Sequence, residues 1–160
     1  MELTKDALHV LASEGGEDIW FLGQKITIKT TGEETGNTFS VTEHYPPAGF
    51  GPPPHVHHHD DEAIYVLEGE ISGFLGDTTF GGGPGTYVLL PRGVPHTFTV
   101  SNDAPARLLI VTAPAGFERF IAESGVPAGE PTAPAPPPSE TDLERMLATA
   151  PRYGIEFLAL

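Results

Sequence analysis

The sequence predicts an all-β fold, and three observations carry that prediction. Short runs of alternating polar and apolar residues recur along most of the chain, as half-buried strands require. Turn signals separate them, with 19 glycines and 17 prolines among 160 residues. Helical periodicity is confined to short stretches near the two ends. A sandwich or barrel of about eight or more short strands accounts for all three, and the length suits one domain with its own core.

The elements follow in order. Leu3, Ala7, Leu8 and Leu11 form one stripe and predict a short helix over 3–12, within an arm that ends near residue 18. Strands begin at Asp18–Gly23, and Lys25–Thr30 alternates cleanly. Gly32–Asn37 reads as a turn, and Phe39–Tyr45 alternates again. Pro46–Pro54 is a Pro/Gly loop that cannot serve as a ladder strand. Ala63–Glu68, Ile71–Leu75, Thr86–Leu90 and His96–Val100 are further strands, divided by glycine and proline turns. Arg107–Thr112 is almost wholly apolar and reads as a buried strand.

Beyond residue 113 the pattern changes. Phe117, Phe120 and Ile121 mark a short helix within 114–130. Residues 131–138 hold five prolines and predict an extended strap. Ser139 or Thr141 can cap a following helix, with Asp142 or Glu144 at the box position and Leu143, Met146, Leu147 and Ala150 on its apolar face. Residues 131–160 therefore read as an arm that packs on the barrel or on a second subunit.

Charge and composition narrow the function. A net charge of −14 excludes phosphate-backbone binding and docking on anionic membranes, and is read as a solubility feature. The chain has no cysteine, so thiolate nucleophiles, disulfides and sulfur-ligated metal sites are excluded. The N-terminus shows no secretory pattern and no apolar run reaches membrane-spanning length; a soluble cytoplasmic protein is expected.

The chemistry concentrates in Pro54–Glu62 and Pro91–His96. His55 and His57 are spaced i, i+2 and point to one side of an extended segment. Glu62 shares parity with Ile64 and Val66, and His96 with Phe98 and Val100, so all face an interior. Imidazole nitrogen and carboxylate oxygen suit Ni, Mn, Fe, Co, Cu or Zn, and three or four such ligands leave positions open. A frame using His57 and His59 breaks the spacing to Glu62; His58 and His59 read as rim residues. His9 and His44 read as ordinary surface or packed histidines, Tyr65 and Tyr87 as wall residues, and Trp20 as packing. Glu43 reads as a barrel-edge residue rather than an extra acid in the pocket, and Arg92 as solvent-exposed.

These motifs resemble a known family. Gly49-x5-His55-x-His57-x4-Glu62-x6-Gly69 is similar to the first cupin motif, and Gly85-x5-Pro91-x-Gly93-x2-His96 to the start of the second. The family's following Asn slot holds Val100 here, with Asn102 nearby. The resemblance implies a single double-stranded β-helix, a jelly-roll barrel over 19–113, with one divalent transition metal held by His55, His57, Glu62 and His96. Residues 53–69, 112–118 and 152–157 also resemble the single-domain quercetinase-like group. That likeness implies O2-dependent cleavage of a flavonol-like enol with loss of CO, Glu62 acting as ligand and base. Ile64, Val66, Phe98, Val100 and Ile110 would wall the pocket for a small aromatic molecule. It further implies a homodimer. The other readings are a Zn-dependent cyclase or isomerase of polyketide-like aromatics, and a non-enzymatic binding barrel.

Overall fold

The computed structural model describes residues 8–130 and 134–158. Its strands are β1 (Glu17–Phe21), β2 (Gln24–Thr30), β3 (Ser40–Tyr45), β4 (His55–His57), β5 (Asp61–Glu68), β6 (Ile71–Leu75), β7 (Thr78–Gly82), β8 (Tyr87–Leu90), β9 (His96–Val100), β10 (Arg107–Ala113), β11 (Val126–Pro127) and β12 (Ile155–Phe157). Three helices join them: α1 (Gly32–Thr35), α2 (Phe117–Ser124) and α3 (Glu140–Thr149). The strands make two antiparallel sheets, ordered β11-β1-β2-β3-β10-β5-β8 and β12-β4-β9-β6-β7. This is the all-β architecture expected from the alternating runs, and the jelly-roll class that the motif resemblance implies.

The sheets pack face to face through their inward residues. Ile64, Val66, Leu108 and Ile110 of the first meet Ile71, Phe98 and Val100 of the second in one buried cluster. Burying an aliphatic side chain of this kind contributes about 1.5–3 kcal/mol, so the alternation seen in the sequence is also the main source of cohesion. Gly69 shows how tightly the turns fit. It takes φ +80°, and a Cβ there would lie 2.6 Å from the Pro105 carbonyl oxygen, so a side chain is excluded both by conformation and by space.

A second cluster closes the other end of the barrel. Ile19, Phe21, Ile26 and Ile28 of the β1–β2 hairpin are covered by Phe120 and Ile121 of α2, Met146 of α3, and Ile155 of β12. Helix α2 is anchored by the buried Glu118 carboxylate, which accepts from the backbone N–H of Gly32 and of Gly116. Helix α3 starts in a capping box, with the Ser139 hydroxyl accepting from Asp142 N and the Asp142 carboxylate accepting from Ser139 N. Strand β12 then pairs with β4, Ile155 opposite His57 and Phe157 opposite His55. In this structure the C-terminal arm lies on its own barrel.

The N-terminal expectation is corrected in part. Residues 8–12 are irregular rather than helical, and the rest of the expected 3–12 helix lies outside the described residues. Leu8 is 90% exposed and Val10 75%. Leu8 and Leu11, the described residues of the stripe, are both exposed, and a helix this short does not stand alone. Gly32–Asn37, expected to be a turn, holds the single helical turn α1. Of the expected strap, residues 134–138 are extended and 131–133 lie outside the described residues. No helix among the described residues is long and apolar enough to cross a membrane.

Candidate metal centre

Three short strands bring the candidate ligands together. His55 and His57 sit on β4, and His55 is directly opposite His96 on the neighbouring β9. Glu62 stands on β5 in the facing sheet, opposite Thr112 and Leu90. Each of His55, His57, Glu62 and His96 offers one ligand atom, and these atoms all lie within 4.8 Å of one another. Three imidazoles thus come from one sheet and the carboxylate from the other.

Hydrogen bonds on the far side of each ring fix which nitrogen faces inward. His55 Nδ1 donates to the Pro53 carbonyl at 2.7 Å, and His96 Nδ1 to the Val94 carbonyl at 3.1 Å. His57 Nδ1 donates to Asp60 Oδ2 at 2.9 Å. A carbonyl can only accept, so Nδ1 carries the hydrogen and a neutral ring presents a bare Nε2 lone pair to the centre. Nε2 of His57 and of His96 and Oε2 of Glu62 are buried without a hydrogen-bond partner. Both nitrogens lie 3.4 Å from Glu62 Oε2. Lone pairs converging in a buried interior repel one another; a divalent cation answers all of them at once. The residues fit a transition metal with N and O ligands.

The charges agree. Burial disfavours the imidazolium of His55 and, with His96 and His57 beside it, lowers its pKa to about 4. Burial also opposes charge on His57, but Glu62 and the bonded Asp60 hold its pKa above the ordinary value. Burial would raise Glu62, yet the His57, His96 and His55 rings hold its carboxyl down to about 2.

Above the ligands is a mostly apolar cavity of about 40 Å³, room for about three or four waters at roughly 10–15 Å³ each. His55, His57 and Glu62 form its floor. Phe21, Phe117 and Phe157 supply aromatic wall, joined by Phe98 and Ile110. The Phe117 ring meets His57 edge-on at 5.0 Å and stacks on His44 at 6.3 Å. Of the five wall residues expected from the sequence, Phe98 and Ile110 line this cavity. Ile64, Val66 and Val100 do not: they are buried in the core between the sheets, because inward parity continues past the site into the packed end of the barrel.

The remaining sequence expectations sort themselves by surface. Tyr65 and Tyr87 face each other across β5–β8 on the outer side, 44% and 60% exposed, rather than forming an inner wall. Arg92 pairs with Asp61 at the surface. His58 meets Glu156 in an exposed pair, and His9 meets Glu34. Glu43 is buried at the barrel edge beneath Arg107 and Lys29, away from the cavity.

Sequence reasoning passed over several residues that touch the site, among them Phe21 and Phe117 of the aromatic wall. Asp60 lies three positions after His57, and a carboxylate there was the signal for a ring-orienting partner. His44, Gln24 and Phe157 reach the cavity only through long-range strand pairing, for which the local sequence holds no cue.

Residues 41–112 match the cupin domain family. No curated protein matches the chain in sequence. Among solved structures, the chain is similar to an RmlC-like cupin from Shewanella frigidimarina NCIMB 400, with 18% identity, TM-score 0.60, and 72% of this chain and 99% of that one covered. It is similar to the Cnp3 cupin domain of Schizosaccharomyces pombe, with 22% identity, TM-score 0.53 and 60% of this chain covered; it spans 64% of that structure, under two thirds. It is also similar to the polyketide cyclase RemF from Streptomyces resistomycificus, with 24% identity, TM-score 0.51, and 71% and 78% covered. The fold is that of the cupins, and residues 41–112 carry the match to their domain family.

Proposed function

We propose that this cupin-fold protein is a metal-dependent oxygenase that cleaves a flavonol-like enol with O2. The observation that carries the reading is the inward set of unpartnered Nε2 and carboxylate lone pairs beneath an aromatic-walled cavity. His55, His57, Glu62 and His96 would hold the ion, which when bound supplies Lewis acidity toward an enol oxygen and a route for electrons to O2.

The chain's own residues do the rest. Asp60 and the two backbone carbonyls lock the imidazoles in one tautomer and one orientation. Phe21, Phe117 and Phe157 form walls suited to a flat ring and keep bulk water away. Glu62 is ionised throughout the physiological range, since its pKa lies at about 2. So weak a base accepts a proton only from a hydroxyl that has itself been acidified, which confines the transfer to the enol seated at the centre.

The test is O2 uptake and CO release with quercetin by protein loaded in turn with Ni, Mn, Fe, Co and Cu. Glu62→Gln should bind metal through the three histidines and lose turnover by at least about 100-fold, the usual size of an acid–base contribution. Absence of O2 uptake with every flavonol and every metal overturns the oxygenase reading. The likeness to a polyketide cyclase favours a second reading, metal-assisted cyclisation without O2. That activity would persist anaerobically and with Zn.

A further inference from the structure

We propose that Gln24 and His44 form a polar pole in the cavity that binds a ring hydroxyl of the ligand, across the Phe117 ring from His57. The proposal rests on the aromatic-ligand reading above and adds which substituent the ligand carries.

Gln24 opens β2 directly after the Leu22–Gly23 turn, both of whose residues have positive φ. Its side chain lines the same cavity as the candidate ligands. It is only 4% exposed, and its amide oxygen Oε1 has no hydrogen-bond partner. A buried acceptor left unmatched is costly, and a Leu or Met would fill the space without that cost. The amide is explained by a ligand that donates to it. His44 supports this from the next strand. Ile26 pairs directly with His44, so Gln24 is its diagonal neighbour on one face of the sheet, about 7–8 Å away along the backbone. Thr42 Oγ1 engages His44 Nε2 at 2.8 Å, and Phe117 stacks on the ring. The ring is thus held still, with its other nitrogen available to a ligand.

The chemistry of this pair selects its guest. No Lys or Arg lines the cavity, and Gln24 Oε1 would repel a carboxylate. A buried ammonium would need a carboxylate at this end, and Gln24 is only an amide. A hydroxyl has one donor and two acceptor sites, which match Gln24 Oε1 and either tautomer of a neutral His44. Burial lowers the His44 pKa to about 4, so the ring is neutral at physiological pH. Phe21, Phe117 and Phe157 suit a flat ring as the carrier of that hydroxyl.

The experiment uses metal-loaded full-length protein and two probes. Quercetin and 3-hydroxyflavone share the enol, but only quercetin carries hydroxyls elsewhere on its rings. Wild type should prefer quercetin, and Gln24→Met should weaken quercetin binding by about three- to tenfold, the worth of one hydrogen bond. The same variant should leave 3-hydroxyflavone unchanged and unfold at an equal or higher temperature when ligand-free. His44→Phe should show the same selective loss. Equal binding of the two flavonols, equal loss for both, or a lower unfolding temperature in Gln24→Met overturns the pole. If neither flavonol binds, the flavonol reading falls, and phenol against toluene decides the pole by thermal shift. A preference for phenol that Gln24→Met removes upholds it; no preference overturns it.

Discussion

Asp60 offers the sharpest test of the centre, because it touches only a ligand's far side. Its buried carboxylate accepts from His57 Nδ1 at 2.9 Å. Asp60→Ala removes that acceptor and leaves a buried N–H unmatched. The ring can then turn, or move its hydrogen to Nε2, and in either case the lone pair no longer points at the centre. Orienting partners of this kind are worth about 10–100-fold in metal affinity, or roughly 1.4–2.7 kcal/mol. Asp60→Asn keeps an acceptor oxygen and nearly the same shape but loses the charge, so its affinity should fall between wild type and Ala. Competition against a chromophoric chelator with Zn or Ni measures the order directly. Thermal unfolding gives an independent reading. At saturating metal the loss appears in full as stability, and for a chain of this size it should shrink the metal-induced shift by roughly 3–11 °C. An Ala variant within twofold of wild type in affinity would refute the argument that His57 is held for a cation.

Other outcomes follow from the same geometry. His44 has a pKa of about 4 in the fold against 6.5 for the free side chain, so between those values the unfolded chain binds a proton that the folded chain refuses. The stability that neutral His44 supports is complete above pH 6.5 and is lost as pH falls through about 4, amounting to about 3 kcal/mol at 1.36 kcal/mol per unit; urea unfolding at pH 7.5 and 4.5 should show a smaller pH effect in His44→Phe than in wild type. Phe120 is buried against Phe21, Phe117 and Tyr153, and Phe120→Ala should cost about 3–5 kcal/mol and lower the unfolding midpoint by roughly 6–20 °C. Phe157 stands on β12 with its ring 5.8 Å from His55; Phe157→Ala should speed metal stripping by EDTA while costing under about 2 kcal/mol of stability, and an unchanged stripping rate would remove it from the cavity wall.

The parts of this molecule that could be read from its sequence are those that depend on near neighbours. Alternation placed Glu62 with Ile64 and Val66, and His96 with Phe98 and Val100, on inward faces, and all are buried. The same parity misled at Ile64, Val66 and Val100. It says that a residue faces in, not how far along the barrel it sits, and these three belong to the packed end. The N-terminal stripe failed for the complementary reason. Leu8 and Leu11 have helical spacing, but periodicity needs a surface to bury against, and both stay exposed among the described residues. Phe157 and Gln24 were invisible because β12 pairs with β4 across about 100 residues, and β2 reaches the cavity through its register with β3.

This division has a chemical consequence. The candidate ligands stand on β4, β5 and β9, each of which has a paired strand on both sides that fixes its direction. The cavity above them is closed by pieces from elsewhere: Phe21 and Gln24 from the first hairpin, Phe117 from α2, Phe157 from β12. Substitutions in those pieces can reshape the guest without disturbing the four ligand atoms. Strand β12 is paired along three residues to β4 and flanked by the His58 N–Gly154 O and Leu158 N–Pro54 O bonds. Strand β12 lies at the edge of its sheet and sets the Phe157 ring 5.8 Å from His55, so a substitution there changes the wall directly beside a candidate ligand.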